Sequence, residues 1–297
     1  MRTKITERVM DFSDFISEGL KIFYERVGDF SILALVNIIP IGLAPFLFQD
    51  NISSPNNEMN VAKLILVFIF FICYAFVSLI TGMSSKIIVE SIVLDKPISL
   101  PNAINSAFSK WGRAFTTQLL SSLIIFAWSL LFFIPGVIYT IYYLFVLDVV
   151  TLRDKDGQEA LKYSKSIVEE QWWRMFLITL GFGLIYGAFN GLISFLSGKI
   201  LENIYLAIIP NAIILYAGSI FGVISTVLFL NNDFIYHRRS TRRKEIEKRE
   251  QYAPTIDEYL EAKKKRTSAS KRSTVRKVKP KTEKSKTVVK RNTRKKE

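Results

Sequence analysis

Residues 61–83, VAKLILVFIFFICYAFVSLITGM, decide the fold class. This stretch carries one charge, Lys63, and is apolar over most of its circumference. About 20 apolar residues cross the hydrocarbon core of a bilayer. A helix that is apolar all round is a membrane span or the centre of a far larger protein. Five further stretches read the same way, at about 31–49, 114–134, 136–150, 175–197 and 204–230. The reading is therefore an all-α polytopic membrane protein with six transmembrane helices, arranged as three hairpins. Pro135-Gly136 separates the third and fourth spans, because proline removes a helix donor and glycine permits a reversal.

Charge divides the chain of 297 residues sharply. Residues 1–237 hold 16 Lys/Arg against 18 Asp/Glu, a net of −2, whereas residues 238–297 hold 24 against 8, a net of +16. Two domains follow: a membrane domain over 1–236 and a basic tail over 237–297. The connecting segments alternate. Segment 50–60 carries only Asp50 and Glu58, and segment 198–203 one lysine and one glutamate. The opposite side carries Lys86, Lys96, Lys110 and Arg113, then Arg153, Lys155, Lys162, Lys165 and Arg174, then the tail. Positive charge favours the cytoplasmic side, so both termini are expected there. Residues 1–27 lack a basic region followed by an apolar run and a cleavage site, so the first span is expected to act as an uncleaved signal.

Each pair of spans follows an amphipathic segment. Val9, Phe12, Ile16, Leu20, Phe23 and Val27 recur at helical spacing in the first. Pro101 opens a second, with Ile104, Ala107, Phe108 and Trp111 on one side. Leu161, Ser164, Val168 and Trp172 mark the third. Such helices lie at the interface or cap a cytoplasmic cavity. The segments end alike, in ERVGDF, SKWGRAF and EEQWWRMF. Trp111 with Arg113, and Trp172 and Trp173 with Arg174, stand where the chain enters the membrane. Belt anchoring explains them. A lipid-headgroup site, with the arginines on phosphate, is the sharper alternative.

Residues 133–174 carry a resemblance to a known family. The features are Ile134-Pro135-Gly136, the aromatic run Tyr139, Tyr142 and Tyr143, Ala160-Leu161, Ser164 and Trp172-Trp173-Arg174. They resemble the membrane domain attached to some bacterial glycerophosphodiester phosphodiesterases, and related six-span integral membrane proteins. The resemblance implies a bacterial cytoplasmic (inner) membrane and a scaffold, lipid-related or transport role. It implies no hydrolase activity, because the phosphodiesterase reaction belongs to a separate barrel domain that a lysine-rich tail of 60 residues cannot form.

Candidate chemistry is sparse. His237 is the only histidine and Cys73 the only cysteine, so no clustered ligand set for a metal or cofactor can be read, and no catalytic residues. Glu90, Asp148 and Asp233 occupy similar places at the inner ends of spans two, four and six. Acids there are usually solvated, and the alternative is a shared cytoplasmic cavity in contact with Arg113 and Arg174. Gly183, Gly187 and Gly191 in span five, and Gly218 and Gly222 in span six, have the four-residue spacing of close helix packing. Asn190 and Asn211 are expected to bond between helices. Residues 238–250 can extend span six, and residues from about 267 onward are expected to be disordered. The tail suits anionic phospholipid first, and a ribosome, RNA or an envelope protein complex second. The favoured function is a non-enzymatic scaffold or modulator of envelope or lipid processes. A small-solute or lipid transporter is the alternative.

Overall fold

A computed structural model describes residues 3–53, 61–200, 208–251, 260–261 and 263–267. All the regular structure among them is helical. In chain order the elements are α1 (Thr3–Glu7), α2 (Phe12–Glu25), α3 (Val27–Ser53), α4 (Val61–Val93), α5 (Leu100–Leu131), α6 (Phe133–Tyr142), α7 (Val146–Arg153), α8 (Gly157–Glu169), α9 (Trp172–Ile200) and α10 (Ile208–Gln251). The chain forms two units, Met1–Ser240 and Thr241–Glu297. The second is described only by the end of α10 and a few helical residues between 260 and 267. The expected loops over 54–60 and 201–203, and the tail from 268 onward, lie outside the described residues.

Length and composition make this the architecture of a polytopic membrane protein. Five described stretches are long and apolar enough to cross a bilayer: Leu64–Val93, Leu100–Leu131, Phe133–Arg153, Trp172–Ser197 and Ile209–Arg249. The shorter apolar stretch Val27–Pro40 belongs to α3.

Packing is uneven along the helices. The buried core draws on Phe15, Phe23 and Phe30, Met83, Ile88 and Val89, Phe145 and Val149, and Val223 through Leu230. Those positions lie toward the charged ends of the spans. Farther along, Leu66 and Ile69 in α4, Leu123 and Phe126 in α5, and Leu184 and Phe195 in α9 are exposed. Lipid is the medium in which such apolar surface has no cost.

Two predicted interfacial helices differ from their sequence reading. Residues 101–111 are not a separate element, because nothing between Trp111 and Ala114 breaks the helix, and α5 runs on without interruption. Its buried positions are Ala103, Ala107, Ala114, Thr117 and Ser121, a seam of small side chains, while Phe108 and Trp111 are exposed. In α2 the buried face is Phe15, Glu18, Gly19, Ile22 and Phe23, one position round from the predicted stripe, of which only Phe23 is buried. Gly19 explains the rotation: a Cβ there would lie 2.5 Å from Ile224 Cγ1, so this face meets α10 directly.

The reversal between spans three and four also moves. It turns on Phe132, whose extended backbone (φ −154°, ψ 138°) separates α5 from α6. Pro135 and Gly136 sit inside the first turn of α6, where a missing N–H is harmless. Gly136 instead permits close helix contact, since a Cβ would come within 2.9 Å of Ser129 Cα. The predicted glycine seam does not form. A Cβ on Gly183, Gly187, Gly191 or Gly222 would meet nothing within 4 Å, and only Gly218 approaches a neighbour, with Tyr186 Oη 3.1 Å from that point. At these α9 positions no described neighbour comes close enough to need the missing side chain, although α9 meets α10 through Tyr186, which lies against Phe221 and donates to Ile214 O at 3.3 Å. Gly136→Ala is therefore expected to lower the thermal unfolding temperature in detergent, while Gly187→Ala leaves it unchanged or slightly raised, alanine being the better helix former by about 1 kcal/mol. Equal melting shifts would refute the assignment of the close contact to Gly136.

Candidate functional site

The fourth span is broken, and the break positions the charged residues. α6 ends at Tyr142, and α7 begins again at Val146. Ser164 of α8 fills the gap: its hydroxyl donates to Tyr142 O at 2.8 Å and accepts from Phe145 N at 3.2 Å. One side chain so satisfies two backbone groups that the helix has released, as buried polar backbone requires. α7 is then held in the core, with Val146, Asp148, Val149, Val150 and Thr151 all buried. The left-handed Asp154 (φ 52°) ends it.

Two ion pairs hang on this short helix. Asp148, 2% exposed, accepts from Lys86 Nζ of α4 at 2.7 Å. At the far end Arg153 joins two acids, pairing with Glu90 of α4 at 2.5 Å and Asp233 of α10 at 2.6 Å. The guanidinium also lies 5.5 Å from the centre of the Phe229 ring. Tyr163 of α8 completes the cluster by donating to Asp233 Oδ1 at 2.6 Å, and its oxygen lies 2.7 Å from His237 Nε2. Burial, and then the bond to Asp233, push the Tyr163 phenol well above its ordinary pKa, so it stays protonated as the donor this geometry needs. Four elements, α4, α7, α8 and α10, meet at these side chains.

The three acids do not share one set of cations, and their cations are not those the sequence suggests. Glu90 and Asp233 share one base, Asp148 has another, and neither base is Arg113 or Arg174. Arg113 pairs instead with Asp154 at 3.1 Å and Asp156 at 3.6 Å, in the turn after α7. Lys110 bonds Asp154 more closely and, with Arg113, lowers the pKa of that exposed carboxyl. Arg174 donates to Met10 O at 2.6 Å, to Gln171 Oε1 at 2.8 Å and to Asn232 Oδ1 at 3.2 Å. Both arginines thus turn toward protein acceptors.

Trp111 and Trp173 are exposed, and Trp172 is partly buried against the core. Trp111 meets Phe76 edge-on, with ring centres 5.2 Å apart. Trp172 stacks on Phe176, and Trp173 is exposed. These two line a wide groove of about 890 Å³ with Phe133, Ile134, Tyr142 and Glu170. Glu170 also pairs with Arg239 at 3.3 Å.

Sequence reasoning missed Arg153, Lys86, Tyr163 and Asn231. In the sequence alone Arg153 and Lys86 read only as loop charges that set the topology. The available signal was that three acids at membrane ends need cations within reach. Asn190 bonds within its own helix, to Tyr186 O at 2.8 Å, and not between helices. Among the described residues Asn37, Asn231 and Asn232 bond between elements. Among the described residues no group of three or more His, Cys, Asp or Glu could hold a metal ion. Comparison with family models, curated proteins and solved structures finds no match to this chain.

Proposed function

We propose that the chain is a six-span protein of a bacterial cytoplasmic membrane. Three hairpins place both termini in the cytoplasm. It acts as a non-enzymatic scaffold or modulator of envelope or lipid processes, and its basic tail holds anionic phospholipid. The observation that carries this reading is the charge partition: the net +16 of residues 238–297 follows directly on the last apolar stretch. Each Lys/Arg held near an anionic leaflet contributes about 1 kcal/mol, and the attraction falls off within a Debye length. The resemblance of residues 133–174 to membrane domains of lipid-processing enzymes supports the same reading.

Native mass spectrometry of detergent-extracted protein tests it, full length and ended after Ser240. Phosphatidylglycerol or cardiolipin retained by the full-length form alone, and stripped by 0.5 M salt, is the expected result. Retention by both forms would move the lipid site into the membrane unit. Co-purifying ribosomal RNA without lipid would replace the lipid reading with an RNA-tethering one.

Small-solute transport is the second reading. A polar stripe on α4 that faces a cavity within the spans favours it. Protein-dependent flux in liposomes is the result it requires.

A further inference from the structure

α4 is apolar on most of its circumference, yet Tyr74, Ser78, Thr81 and Ser85 line up on one face, with Lys86 at its edge. That face does not pack flat against protein. It borders an elongated cavity of about 260 Å³, closed by α3 at Phe30, Leu33 and Asn37 and by α10 at Leu215, Ser219 and Gly222. From Tyr74 to Lys86 the helical rise gives a slot roughly 18 Å long. Gly82 and Gly222 recess its wall, since a Cβ on either would touch nothing within 4 Å.

A packing defect between spans would be lined by apolar groups and stay dry. This one gathers hydroxyls, an amide and an ammonium, which are costly within a membrane unless they are paired or wet. Asn37 shows the need most directly. Its Nδ2 donates to Leu33 O at 3.0 Å and to Thr81 Oγ1 at 2.7 Å. The carbonyl of Leu33 can only accept, so the amide cannot be turned over, and Asn37 Oδ1 is left buried without a partner. A donor from outside the protein is missing at that wall. The Lys86 ammonium marks the inner end, and its counter-ion Asp148 lies behind it in α7, outside the lining. Among the described residues that line the slot Lys86 is the one charged side chain, and Asp148 pairs with it from behind.

We propose that this slot is a water-filled site for a small hydrophilic anion, with Lys86 Nζ receiving the charged group. The volume suits a solute of a few heavy atoms that carries a carboxylate, phosphate or sulfonate and a hydrogen-bond donor. Binding exchanges water for the solute and needs no covalent step. The site is independent of the tail. It deepens the transport reading without requiring turnover, because a filled slot without flux would remove transport and leave the site.

Cysteine labelling of the full chain in liposomes tests this. In a Cys73→Ala background, Ser78→Cys and Ser219→Cys report on the slot, and Ile69→Cys, on the exposed face of α4, reports on lipid. The probes are 2-sulfonatoethyl methanethiosulfonate, an anion, and 2-(trimethylammonium)ethyl methanethiosulfonate, a cation, each scaled to its rate with a free thiol. Both slot cysteines are expected to react on the order of tenfold faster than Ile69→Cys, and several-fold faster with the anion than with the cation. The anion preference is expected to vanish in Lys86→Met combined with Asp148→Asn, a pair that leaves no lone buried charge. Slot cysteines as slow as Ile69→Cys would overturn the water-filled site. Fast labelling with no anion preference, or with a preference that survives the double replacement, would overturn the role of Lys86.

Discussion

Arg153→Met is expected to produce the largest loss of stability of any single replacement in the membrane unit. The guanidinium serves Glu90 and Asp233 together, and Asp233 is 1% exposed. Removing it leaves two carboxylates facing each other with their shared base gone. Taking one partner from a buried ion pair costs about 3–5 kcal/mol, most of it the uncompensated charge left behind. On the scale of a domain of this size that is on the order of 10 °C in the unfolding temperature. The contact with the Phe229 ring is lost as well. Tryptophan fluorescence during heating in detergent measures the shift. Arg153→Met combined with Glu90→Gln and Asp233→Asn is expected to recover a large part of it, because the neutral amides need no counter-charge. A single replacement that melted within about 2 °C of the unaltered protein would show that the cluster is solvated. The four elements it joins would then need another explanation for their contact.

This cluster also marks where the sequence stops being legible. The spans could be read because burial in lipid acts on each stretch by itself: residues 61–83 need no knowledge of the rest of the chain. α3, α4 and α9 contain the expected stretches accordingly, and α10 contains the sixth from residue 208 onward, residues 204–207 lying outside the described ones. Residues 136–150 read as a short fourth span, and the shortness was real information, since the stretch is a pair of helices with a break at Tyr143 to Phe145. What repairs the break is Ser164, nineteen residues farther on, and no local pattern announces that bond. Charges behave in the same way. Topology needs only which side Lys86 and Arg153 occupy, so a count suffices. Function needs to know which acid each one meets, and that depends on how α7 enters the core. The glycines of α9 show the converse failure. Their spacing is that of a packing seam, but spacing cannot say how closely another helix approaches, and at Gly183, Gly187 and Gly191 a Cβ would meet nothing within 4 Å. Gly19 and Gly136, which do meet a neighbour, belong to no repeated motif.

Asn231→Leu is the second replacement expected to have a large effect, and its effect should be local first. Asn231 is fully buried in α10 and acts on the segment before α2. Its Nδ2 donates to Ile5 O and Arg8 O, both at 2.7 Å, and its Oδ1 accepts from Met10 N at 3.3 Å. Leucine has similar volume and no polar atoms, so three backbone groups would lose their partner at once. A buried group left unsatisfied costs about 1–3 kcal/mol. The whole sum need not be paid, because the segment can leave its site and find water. Two arginines oppose that release: Arg174 holds Met10 O at 2.6 Å, and Arg238 holds Thr6 O at 2.7 Å. Their bonds go to backbone oxygens and survive the replacement. Residues 3–10 are therefore expected to exchange their amide hydrogens at least tenfold faster in Asn231→Leu, while exchange in α7 and α8 changes little. Arg238→Ala should add to the increase, since it removes a separate restraint on the same segment. Unchanged exchange at residues 3–10 would mean that Ile5, Met10 and the other apolar side chains hold the segment without the asparagine. Faster exchange throughout α7 and α10 would mean that Asn231 supports the whole inner end of the bundle. The order of the two responses, segment before bundle, distinguishes a clasp on the N-terminal residues from a member of the core.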